Sequence, residues 1–237
     1  VQAMLAPFFL NQKYMTGLYD YTTVTLFADE IVNHIGEKNF YTDKNFKYLN
    51  APSNYLLNDP ETFIHFIKSY FEILGTPKNI HIIPRNNVEV VLGMYVNMPH
   101  DIYVSINNKM NDCWRRFTII KELCSAYVGH YQDENNASGW ITNEMFKTSI
   151  EYVGSVEDAF EGKMKYVNNN GLDEGDFDSE TFSILLATEL MIPRPFRDRT
   201  QEMIRQVENN HLTLNDVAKS LLIPESVLRL HIKNGYL

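Results

Sequence analysis

Between Arg116 and Ser125 the chain places a carboxylate, an ammonium, a thiol and a hydroxyl close together: Lys121, Glu122, Cys124 and Ser125. A glutamate there could act as a general base, but only with a metal-bound water or a nucleophile to deprotonate. Its neighbours supply neither. At neutral pH the lysine lone pair holds a proton, and serine offers a weakly coordinating neutral hydroxyl, so zinc is not expected to bind with useful affinity. Glu122 then reads as the partner of a buried or half-buried cation. Cys113 and Cys124 lie eleven residues apart with no second Cys or His pair at zinc-site spacing, and reduced, buried thiols are expected.

These residues are carried by a helical pattern over 112–131. Phe117, Ile120, Cys124, Tyr127 and Tyr131 recur at spacings of three and four and form one apolar face. Interleaved with them, Thr118, Lys121, Glu122, Ser125 and Gly129 form a narrower stripe that faces elsewhere. Three β-like runs precede the helix, over 80–83, 88–96 and 102–106, punctuated by Pro84, Asn86-Asn87 and Asn97-Met98-Pro99. Residues 1–78 form a mainly helical N-terminal region. Leu26, Ile31, Val32 and Ile35 share one face there; Phe63, Ile64, Phe66, Ile67 and Tyr70 mark a second helix, capped by Asp59 before Pro60 and closed by Gly75 and Pro77.

Downstream, residues 132–176 read as an acidic insertion, with a helix over 145–160 and the loop Asn168-Asn169-Asn170-Gly171. A helix over 178–192 stops before Pro193 and Pro195, which cannot continue it. The tail over 213–237 divides into two short helices near Pro224. At 237 residues, 44% hydrophobic and 22% charged, the chain can bury a substantial core. The apolar run over 1–10 covers about half a membrane span and has no basic residues before it, so a cytoplasmic protein is expected.

The formal charge of −9 is uneven: from His130 to Leu190 there are thirteen acids against three lysines and no arginine. Such a block repels phosphate backbones, which disfavours general nucleic-acid affinity.

Three stretches, in this order, resemble the ImmA/IrrE family of zinc metallopeptidases. They are Arg116 to Ser125, then Ala187-Thr188-Glu189-Leu190-Met191-Ile192-Pro193, then Leu214-Asn215-Asp216-Val217-Ala218 through Arg229-Leu230. The similarity spans roughly residues 79–237. The family's first stretch reads R-F-T-L-A-H-E-L-G-H, whose two histidines bind zinc while the glutamate between them activates water. Aligned on it, the histidines fall on Lys121 and Ser125, and only Glu122 is retained. The third family ligand, a glutamate eleven residues before the proline, falls on Phe182.

The resemblance therefore implies a degenerate site at Lys121, Glu122, Ser125 and Phe182, with no catalytic residue, no metal ligand and no cofactor. Lys121 either snorkels to solvent or supplies the positive charge that zinc would have given, and Phe182 fills the vacated cleft. Substitute ligands would have to come from His130, Asp133, Glu180 or Glu189. Glu180 lies about 200° around the helix from Phe182, and His130 more than two turns beyond Lys121.

The fold expected is α+β: a helical N-terminal region over 1–78, a degenerate zincin-like core with a small sheet over 79–209, and a helix-turn-helix-like tail over 210–237 packed on the core. The function expected is that of a catalytically inactive peptidase relative that binds a protein partner, with a helix-turn-helix repressor of a bacterium or phage as the class the resemblance implies. Two rivals stand beside it, an active peptidase with a non-standard site and a DNA-binding regulator using the tail. Against the second, residues 201–237 carry four basic and four acidic side chains, and Arg229, His231 and Lys233 follow an acid at the start of their helix.

Overall fold

The aromatic residues of the N-terminal region decide how its helices sit. In the computed structural model, which describes residues 21–37, 60–86, 93–133, 179–209 and 211–233, helix α1 spans Tyr21–Glu37 and buries Val24, Phe27, Ala28 and Ile31. That i, i+3, i+4, i+7 set is the inner face. Of the face expected from Leu26, Ile31, Val32 and Ile35, Val32 packs on the core and the side chain of Ile35 lies outside those described, while Leu26 is 49% exposed and Ile31 fully buried. The two lie about 140° apart on a helix, too far to share a narrow stripe, and the larger Phe27 sets the rotation.

Helix α2, Pro60–Ile73, buries Phe63, Phe66, Ile67, Tyr70 and Phe71. It ends at Gly75, whose φ of +74° fits a glycine; Thr76 N–H donates to Phe71 O and Gly75 N–H to Glu72 O, each at 3.0 Å. This double bond pattern caps the last carbonyls.

Strands β1 (Asn79–Arg85), β2 (Gly93–Asn97) and β3 (Asp101–Asn107) form a sheet in the order β1-β3-β2. β2 and β3 are an antiparallel hairpin, whereas β1 runs parallel to β3, with Ile80 opposite Ile102 and Ile82 opposite Val104. The most buried strand is the central one, where Ile102, Val104 and Ile106 alternate into the core. β1 continues through Pro84, where a turn is expected from the sequence. A strand paired on one side tolerates a residue without an N–H donor.

Helix α3, Asp112–Asp133, follows β3 and packs against α2, β2, β3 and helix α4, Ser179–Met191. α4 is buried on all sides from Phe182 onward, as expected of a helix with no polar face. After Pro193 come a 3-10 turn, Arg194–Phe196, and α5, Arg197–Glu208, in which Thr200 is the buried residue. The tail is α6, Leu214–Leu221, and α7, Glu225–Lys233. Thr213 and Asp216 cap α6 reciprocally. One hydrophobic cluster joins residues of α1, α2, β3, α3, α4, α6 and α7. None of the described helices is long and apolar enough to cross a membrane. The 1–10 run, the helix over 145–160, the loop at Asn168 to Gly171 and nearly all of the acidic insertion lie outside the described residues.

Candidate functional site

The interleaved stripe of α3 faces strand β2. A Cβ added to Gly93 would lie 2.2 Å from Thr118 Cγ2 and 2.9 Å from Glu122 Oε1, so the strand backbone rests directly on these two side chains. A Cβ on Gly129 would come within 3.1 Å of the Tyr95 hydroxyl. Thr118, Glu122 and Gly129 are spaced at i, i+4 and i+11, close to one line along a helix, and β2 runs over that line. Glycine at position 93 is thus required by close approach of strand and helix.

Under β2, Lys121 Nζ lies 3.1 Å from Glu122 Oε1, and the two side chains are only 12% and 5% exposed. The lysine therefore does not reach out to solvent: it compensates a carboxylate that would otherwise be buried at a cost of several kcal/mol. Ser125 Oγ donates to Lys121 O at 3.2 Å, a bond within the helix. Thr118 Oγ1 is 3.6 Å from Met110 Sδ. Lys121, Glu122 and Ser125 are thus brought together on one helix.

Phe182 is fully buried on α4. Its ring meets Phe27 of α1 edge-on at 5.5 Å between centroids, and Phe27 in turn meets Tyr127 of α3 at 6.0 Å. An aromatic core contact of this kind is what the burial of Phe182 secures. The partner residue Phe27 could not be found from the sequence, because it lies more than 150 positions away in a region without a motif.

A zinc ion does not fit the donor set at these positions. Lys121 offers a protonated ammonium that is paired with Glu122, Ser125 a neutral hydroxyl and Phe182 no donor, and among the described residues no three His, Cys, Asp or Glu side chains converge on a metal position. The side chains of His130, Asp133 and Glu180 lie outside those described. Both thiols are held protonated: burial pushes Cys124 well above the ordinary thiol range and raises Cys113 as well. Neither is an activated nucleophile.

Glu189, the remaining substitute ligand, is engaged elsewhere. It is buried and ion-paired with Arg197 of α5, whose Nε also donates to Ile192 O at 3.3 Å. Beside it, His231 of α7 is buried with Nε2 3.0 Å from Thr188 O. This cluster joins α4, α5 and α7, and only Glu189 carried a signal in the sequence, as an acid inside an otherwise apolar helix. On α7 His231 is buried, whereas Arg229 pairs with Glu225 on the exposed side. At the end of the sheet His81, stacked on Tyr103, bonds Asp101 at 2.8 Å on an exposed surface.

Comparison of the chain with protein-family models, with curated proteins and with solved structures returns no match.

Proposed function

We propose that this chain is a catalytically inactive metallopeptidase-like protein that acts by binding a protein partner, a transcriptional regulator of the helix-turn-helix class. The observation that carries the reading is the buried Lys121–Glu122 ion pair beneath β2. A retained glutamate whose charge is already balanced by an ammonium has no cation to share with water and no nucleophile to activate. The zincin-like assignment of the core rests on the ordered motifs and is supported by the sequence of elements, a small mixed sheet whose edge strand lies against the helix bearing Glu122. Recognition can outlast hydrolysis in such a frame, because a partner is held by surface complementarity and needs no metal.

The concentration of acids between His130 and Leu190 supports a basic partner, since a field of one sign steers an oppositely charged protein to its surface. The decisive comparison is between wild type and the double variant Lys121→Met with Glu122→Gln, which leaves no buried charge unpaired, in affinity capture from the native host. The expected result is the same partner, intact, with both proteins. A partner cleaved by wild type and spared by the variant would restore the peptidase reading.

A further inference from the structure

We infer that the C-terminal helical pair is clasped to the core through a neutral histidine, His231, and that acidification opens the clasp. His231 is 1% exposed, and its Nε2 faces the Thr188 carbonyl of α4 at 3.0 Å. A carbonyl oxygen only accepts, so Nε2 carries the hydrogen and the tautomer is fixed. Burial rather than the neighbouring charges keeps the ring uncharged. From α4 it faces Glu189, but that carboxylate is already paired with Arg197, which approaches from α5. From α6 come the buried apolar residues Val217, Ala218 and Leu221, while Asp216 and Lys219 lie on that helix's exposed side.

Burial is the largest influence and pushes the histidine below its ordinary value; Glu189 and the Thr188 bond oppose it, and Arg197 adds to it. Once the tail lifts, the ring regains ordinary proton affinity, with a pKa of about 6.5. The open state therefore binds more protons than the clasped one. The clasp is complete above about pH 6.5 and weakens as pH falls from there toward the depressed value of the buried ring. Opening uncovers the apolar faces of α6 and α7, which include Val217, Leu221, Val227 and Leu228. The inference is independent of any partner or enzymatic role.

The test is amide hydrogen exchange on the full chain, corrected for intrinsic rates, between about pH 7.5 and about pH 5.5. Protection over 211–233 should fall by up to about tenfold per pH unit below the ordinary histidine range, while α3 keeps its own. His231→Gln retains a side-chain N–H donor that does not titrate, and its tail should lose this dependence. Protection in wild type that ignores pH, or the same slope in His231→Gln, would overturn the inference. If the variant does not fold, imidazole NMR of wild type decides. A ring that stays neutral as its Nε2–H tautomer well below its ordinary value supports the clasp, and a ring that titrates normally with the tail still protected overturns it.

Discussion

Lys121 and Glu122 depend on each other because both charges sit beneath a strand. Removing one half leaves the other uncompensated, so Lys121→Met should destabilise the fold by about 3 kcal/mol. The double variant Lys121→Met with Glu122→Gln should recover much of that loss, since no net charge is left buried. Urea denaturation of the single and double variants measures the difference; equal stabilities would show that the pair is not coupled. Gly93→Ala probes the same contact from the strand, and the added methyl, 2.2 Å from Thr118 Cγ2, should cost about 1–3 kcal/mol by overpacking. The adjacency of Lys121 and Glu122 was legible in the sequence because helical spacing is local. The role of Gly93 was not, since nothing in a glycine's own neighbours reveals which helix the strand will press upon.

Elements were legible where a period or a breaker marks them. The helices expected over 112–131 and 178–192 are found as Asp112–Asp133 and Ser179–Met191, the second stopped by Pro193. α5 was not expected, although Thr200, Met203, Ile204 and Val207 recur at i, i+3, i+4 and i+7 and face the core; the stripe is short, only Thr200 in it is fully buried, and charged residues cover the rest of the helix. The turn after α6 holds another departure from local preference: Leu222 adopts φ +56° where glycine is usual, with Ile223 N–H bonded to Ala218 O. For Leu222→Gly, relief of strain of about 1–2 kcal/mol should offset the loss of a half-buried side chain. Leu222→Val, although closer in size, should be the less stable of the two because a β-branched residue resists this region. Thermal unfolding that ranks Val above Gly would contradict the assignment of strain to this position.

At the scale of the molecule, the sequence marked three strands but not their order. Placing β3 between β1 and β2 depends on contacts across the whole sheet, and the burial of Ile102, Val104 and Ile106 is its consequence. The joining of α1 to α4 through Phe27 and Phe182 was equally hidden. Charge distribution, by contrast, is fully legible. Partner binding should weaken as salt rises, and reversal of Asp173, Glu174 and Asp176 to lysine should slow association more than it speeds dissociation; association kinetics at two ionic strengths check this. The central claim, that the position of a hydrolytic metal is held by an ion pair, is tested most directly by elemental analysis of protein purified without chelator. Zinc far below stoichiometric is the result expected from Lys121, Ser125 and Phe182 at the three positions where the resemblance implies ligands. Zinc near one equivalent, lost together with a peptidase activity on chelation, would contradict it.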